Sequence, residues 1–121
     1  MSQDVNKVEK IVEQGLLYDF YGELLTDHQK SVYEAAVLED YSLTEIAEMY
    51  GISRQGVHDL IKRCDKILLQ YEEKLSLVAK FTRMKEMVSE IGELSVNVSD
   101  NGHQENLSKI HLLAENIMKE L

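Results

Sequence analysis

The chain contains no proline, so no helix interior is broken for want of a backbone donor. It has one cysteine, Cys64, which excludes an intrachain disulfide and makes a reducing cytoplasm the expected compartment. Cys64 stands among apolar positions of helical spacing, where a small buried hydrophobe is expected rather than a reactive thiol. No apolar run approaches the roughly eighteen residues that span a bilayer. The first ten residues are polar, with two acidic and two basic side chains and no apolar signal core, so membrane insertion is not expected. The histidines His28, His58, His103 and His111 are scattered without metal-ligand spacing, and no glycine-rich phosphate loop occurs. No catalytic residue, metal site or cofactor is therefore expected. His58 and Asp59 are neighbours in sequence and should diverge by about 100° on a helix, which argues against a dyad.

Basic charge is also scarce, with 13 Lys+Arg against 22 Asp+Glu and a formal net charge of −9. Its distribution matters more than its sum. Residues 1–50 hold three Lys against eleven acidic residues, and residues 91–121 hold two Lys against five. Residues 51–90 reverse the balance, with eight Lys+Arg against six acidic residues. That asymmetry can orient a protein on a phosphate backbone. The acidic remainder should repel the same backbone, so affinity should be modest and steeply salt-dependent.

What the chain does have is helical patterning throughout. Leu, Glu, Lys, Gln and Ala are abundant and β-strand alternation is rare, so the fold class expected is all-α. At 121 residues there is room for one small domain with an appended helical arm. Residues 5–24 place Val8, Val12, Leu16 and Phe20 on one stripe, widened by Ile11, Leu17, Tyr18 and Tyr21. Thr26 and Gln29 form a capping box that opens a second helix. This helix should bury Val32, Ala35, Ala36 and Leu38, with Tyr33 beside them, and end near Glu39 and Asp40. Residues 65–93 read as one long helix of roughly 40 Å without a breaker. Its early stripe is Leu68, Tyr71, Leu75 and Val78. A second stripe, Leu77, Phe81, Met84, Val88 and Ile91, has coiled-coil spacing and is the expected homodimer interface. The two stripes are offset by one residue, so the buried face should rotate midway. Residues 97–102 read as a loop. A last helix, carrying Leu107, Ile110, Ala114, Ile117 and Leu121, should fold back on the long one. This organisation makes residues 1–65 a compact domain and residues 66–121 a dimerising arm.

Between them lies the most informative stretch. Ser42 and Glu45 form a second capping box, Gly51 suits the positive-φ position that ends a helix, and Ser53 caps the next helix, expected to run to about Cys64. Two caps eleven residues apart with a glycine between them predict a helix-turn-helix over residues 43–63. Ile46, Tyr50, Ile52, Val57, Leu60 and Ile61 should pack the pair inward, Ala47 should permit the close crossing, and Gly51 should supply the turn. The helix after Ser53 is then the one that enters the major groove of double-stranded DNA. Arg54 suits a guanine edge and Gln55 an adenine edge, with His58 one turn on. Ser53 and the free amides around it suit a phosphate, and Lys62 and Arg63, helped by Lys66, reach the flanking backbone. Asp59 could accept from cytosine or pair with Arg63 four residues on. Gly56, in the first turn of this helix, is weak for helix; close approach of a ligand would justify it, and so would tolerance of a weak helix.

Residues 43–63, Leu-Thr-Glu-Ile-Ala-Glu-Met-Tyr-Gly-Ile-Ser-Arg-Gln-Gly-Val-His-Asp-Leu-Ile-Lys-Arg, resemble the region-four module of bacterial sigma factors. With residues 17–26, Leu-Tyr-Asp-Phe-Tyr-Gly-Glu-Leu-Leu-Thr, and residues 71–75, Tyr-Glu-Glu-Lys-Leu, the chain more closely resembles the YlxM-like family of small bacterial helix-turn-helix proteins. Gly56 and His58 stand where that pattern leads us to expect Ala and an aromatic residue. The resemblance implies a DNA-binding regulator whose genes usually lie beside those for signal recognition particle components. Two readings stay open at this point. One is a homodimer presenting two recognition helices to adjacent half-sites of DNA. The other is a non-catalytic adaptor of the signal recognition particle pathway, with little affinity for DNA.

Overall fold

The computed structural model describes residues 2–96 and 103–121, and the loop expected at residues 97–102 lies outside them. The elements are helix α1 (Ser2–Tyr21), α2 (Asp27–Tyr33, continuing as a wider π turn, Glu34–Leu38), α3 (Leu43–Tyr50), α4 (Arg54–Leu75), α5 (Leu77–Val96) and α6 (His103–Glu120). No strand occurs among the described residues. The protein is all-α.

The chain divides into two compact units, the first ending at Ser76 and the second running from Leu77 to Leu121. In the first, α2, α3 and α4 meet around Val32, Ala35, Ile46 and Val57, with Ala36, Leu43, Ala47, Tyr50, Ile52, Leu60 and Ile61 packed against them. Leu38 is exposed, because the π turn widens the helix and the chain leaves it at Asp40, where φ is +57°. Both capping boxes form. Gln29 N donates to Thr26 Oγ1 at 3.2 Å and Thr26 N to Gln29 Oε1 at 3.0 Å. Glu45 N and Ser42 Oγ, and Ser42 N and Glu45 Oε1, each stand 3.1 Å apart.

Helix α1 packs on a different face from the one its valines mark. Leu17 and Tyr21 are buried, whereas Val8 and Val12 are 60% and 57% exposed and Phe20 is 37% exposed. The tyrosines decide the register. Tyr18 donates to Glu34 and Tyr21 to Glu72, while their rings lie 5.6 Å from Tyr33 and 6.1 Å from Tyr71 respectively. A ring with a polar tip fills a half-buried site and keeps its hydrogen bond, an option closed to valine.

The expected end of the recognition helix at Cys64 is also corrected. Helix α4 continues to Leu75, with Cys64 and Leu68 buried, and the break comes at Ser76. The boundary expected at residues 65–66 therefore falls inside α4. Ser76 takes the left-handed conformation (φ +54°), and its N–H donates to Glu72 O at 2.8 Å. The one-residue offset between the two apolar stripes marks this break. What reads as a rotating face on one helix is two helices, each with its own face.

In the second unit α5 and α6 pack antiparallel. Arg83, near the start of α5, bonds Glu120 at 3.1 Å near the end of α6, and Asn106 donates to Leu94 O at 3.4 Å at the other end. Half-buried residues on α6 include Ile110, Leu113 and Ile117, whereas Leu107, Ala114 and Leu121 are exposed, so the packed face is offset from the expected stripe.

Candidate nucleic-acid interface

Gly51 makes the turn between α3 and α4. Its φ and ψ are 67° and 33°, and its own N–H bonds Ala47 O. Ile52 N donates to the same carbonyl at 3.1 Å. This left-handed cap closes α3 and swings the chain back, which only glycine does without a Cβ penalty. Ser53 then caps α4. Its Oγ accepts from Gly56 N at 2.9 Å, and Val57 N closes the first intrahelical bond to Ser53 O at 3.0 Å. The amides of Arg54 and Gln55 precede that bond and point off the helix end.

A Cβ built on Gly56 would lie 3.1 Å from Ser53 Oγ. The glycine thus leaves room for the capping hydroxyl, a reason found inside the chain and not in a ligand's approach. Of the residues expected to pack the motif, Ile46 and Val57 are fully buried, and Ala47, Ile52, Leu60 and Ile61 pack against them.

Ser53, Arg54, Gln55, His58, Lys62 and Arg63 are all exposed. On α4 Gln55 and Lys62 lie opposite Val57, Cys64 and Leu68, which are fully buried, while Arg54, His58 and Arg63 stand on the flanks. They follow two ridges at four-residue spacing. Gln55, Asp59 and Arg63 form one; His58, Lys62 and Lys66 form the other. Arg54, Gln55 and His58, with Leu43 at the start of α3, border a surface depression of about 400 Å³.

Two expectations about Asp59 are corrected. Its carboxylate accepts from Gln55 Nε2 at 2.9 Å, one turn back, rather than from Arg63 one turn on. It also stands 3.7 Å from His58 Nδ1, because exposed side chains on adjacent residues can bend toward each other. The contact is solvated, with both side chains about half exposed. Gln55 must exchange Asp59 for any partner it meets outside the chain.

Sequence reasoning missed a polar knot behind this face. Asp65 accepts from Gln14 Nε2 at 3.0 and 3.2 Å and from the Tyr33 hydroxyl. Burial, and the bond to a negative carboxylate, hold the Tyr33 hydroxyl well above the ordinary phenol range. The knot brings Lys10 of α1 beside α4. No local signal could have indicated it, since Gln14 and Asp65 are 51 residues apart.

Among the described residues no group of three or more His, Cys, Asp or Glu is placed to hold a metal ion, and no helix is long and apolar enough to cross a membrane. Two short helices crossing at a left-handed glycine, the second with a capped and exposed N-terminal turn, define a helix-turn-helix protein. The profile of the UPF0122 family, described as "Putative helix-turn-helix protein, YlxM / p13 like", matches residues 8–110. The chain belongs to this family. It is 50% identical over 88 residues to the UPF0122 protein YlxM of Bacillus subtilis, covering 73% of this chain and 80% of that one. A UPF0122 protein of Bacillus velezensis is 47% identical over 93 residues, covering 77% and 84% of the two chains. One from Caldanaerobacter subterraneus is 54% identical over 78 residues, covering 64% and 67%.

Proposed function

We propose that this chain is a non-catalytic, cytoplasmic DNA-binding regulator that lays the N-terminal turns of α4 in the major groove. One observation carries the reading: the five α4 residues Arg54, Gln55, His58, Lys62 and Arg63 all stay exposed on a helix whose core side buries Val57, Cys64 and Leu68. Arg54 and Gln55 read base edges, and Ser53, Lys62 and Arg63 hold phosphates. The sigma region-four likeness noted above accords with this docking.

Fluorescence anisotropy at low salt with a duplex selected from a random-sequence pool tests it. Combined Arg54→Ala, Gln55→Ala and Lys62→Ala replacement is expected to weaken binding by at least about tenfold, since one good bidentate base contact is worth about 1–3 kcal/mol. Binding unchanged in the triple variant, or no binding by the parent chain, would falsify the proposal.

The same reading makes the protein a homodimer through α5. Phe81 and Val88 of the expected stripe remain 41% and 56% exposed and Leu77 40% exposed, while Met84 and Ile91 are half-buried. None of the described α5 residues is fully buried, and a second hairpin would close a four-helix bundle. Light scattering should report a dimer that halves in mass on Phe81→Asp and Met84→Asp replacement while helicity persists. A monomeric parent would end the dimer reading.

A second reading, an adaptor of the signal recognition particle machinery, is favoured by the exposed Val5, Val8 and Val12 on α1. Contiguous exposed apolar residues mark protein contacts more often than nucleic-acid ones.

A further inference from the structure

A cleft of about 520 Å³ opens between α1 and α4, lined by Lys10 from α1 and by Lys62, Asp65, Lys66 and Glu73 from α4. Its lining sets three lysines against two carboxylates. The Asp65 carboxylate is engaged inward by Gln14 and Tyr33. None of the three lysines forms an ion pair with a described residue. Lys30, by contrast, another of the three lysines in the acidic first fifty residues, is held by Glu23 at 2.8 Å. Lys10 lies one turn before Gln14 on α1, so the Gln14–Asp65 bond that ties the two helices also sets Lys10 beside Lys62 and Lys66. The fold thereby carries a positive charge out of the most acidic segment and adds it to the basic strip of α4.

We infer that Lys10, Lys62 and Lys66 grip the phosphate backbone of double-stranded DNA alongside the groove that α4 enters. The inference rests on the docking proposed above and adds a second helix to it. Helix geometry supplies the reach. Lys62 and Lys66 stand about 12 and 18 Å along α4 from Arg54, at about 1.5 Å per residue. The major groove is only about 12 Å wide, so with Arg54 at the base edges these two lysines lie over the flanking strand. Glu73, a further turn or two on, repels phosphate and confines the contact to the Lys62 end of the cleft. A backbone grip of this kind carries no sequence information; it sets register and affinity.

The test is anisotropy of the full-length chain on duplex DNA across a salt series, comparing Lys10→Ala and Lys66→Ala with Arg54→Ala and Gln55→Ala. Each lysine replacement is expected to lower the slope of log affinity against log salt by about one. It should weaken random and selected duplexes alike, leaving their ratio unchanged. The Arg54 and Gln55 variants should instead lose the ratio. Lys10 is exposed, so the variant should keep the parent's helicity and melting temperature. Parental slopes for Lys10→Ala and Lys66→Ala, with Arg54→Ala weakened, overturn the cleft contact alone. A parent that does not bind duplex overturns this inference together with the reading it rests on. Lysine-dependent binding of an RNA hairpin with duplex DNA excluded overturns the assignment to DNA.

Discussion

Ile46→Ala is expected to destabilise the first unit by about 2–5 kcal/mol, the range for removing most of a buried aliphatic side chain. Ile46 is fully buried, and its cluster draws on α2 (Val32), the π turn (Ala35) and α4 (Val57). These neighbours sit on helices held by their own caps and by each other, so they cannot collapse into the space left behind. The loss is a large part of the roughly 5–15 kcal/mol that keeps a domain folded. It should lower the thermal midpoint by about 10–40 °C for a unit of this size. The damage should reach function as well, because Ile46 is what seats α3 against α4 behind Arg54 and Gln55. Thermal unfolding followed by circular dichroism measures the effect, with Met49→Ala on the exposed side of α3 as the comparison. A surface change of that kind normally stays within about 0.5 kcal/mol. Equal midpoints for the two variants would remove Ile46 from the core.

A steep loss of stability in alkali is the second large effect expected. Burial, reinforced by the charge of Asp65 and opposed by Arg63, pushes the Cys64 thiol up from 9.0 to about 11. Burial and the bond to Asp65 raise the Tyr33 hydroxyl, and burial with the bond to Glu34 raises that of Tyr18. In each case the folded state holds its proton more tightly than the unfolded chain does. Below the unfolded values both states are protonated and the contribution to stability is fully present. Above them the unfolded chain ionises first, and stability falls by about 1.4 kcal/mol per pH unit for each group. The decline begins with Cys64 as pH passes 9.0 and steepens above 10.0 when the tyrosines join. Urea midpoints taken from pH 8 to pH 11 test it. Tyr33→Phe should be less stable than the parent at neutral pH by about 1 kcal/mol, for the lost hydrogen bond, yet its stability should decline less steeply above pH 10. An unchanged slope in that variant would show that Tyr33 is not the group responsible.

The legible features are those written in a few neighbouring residues. Thr26 with Gln29, Ser42 with Glu45, Gly51, and Ser53 act on backbone groups within one turn, and their geometry follows wherever the rest of the chain lies. The exposed face of α4 was legible for a related reason. Once Val57, Leu60, Ile61 and Cys64 face inward, helical spacing turns Gln55, His58 and Lys62 outward.

Faces chosen by distant partners were not legible. The valines of α1 and the tyrosines beside them make equally good stripes, and the choice depends on Glu34, Tyr33 and Glu72 being within reach of two hydroxyl-bearing rings, Tyr18 and Tyr21. The stop at Ser76 had no glycine or proline to announce it. Only the one-residue slip between two apolar stripes recorded that the chain changes partners there.

The order of helices, their caps and the left-handed turn at Gly51 were determined by the sequence alone, because each rests on bonds spanning five residues or fewer. The buried side of α1, the length of α4 and the approach of Lys10 to Lys62 were decided only in the tertiary structure. They depend on contacts such as Gln14 with Asp65, 51 positions apart, and no local pattern encodes which distant polar group a side chain will find once the apolar cores have closed.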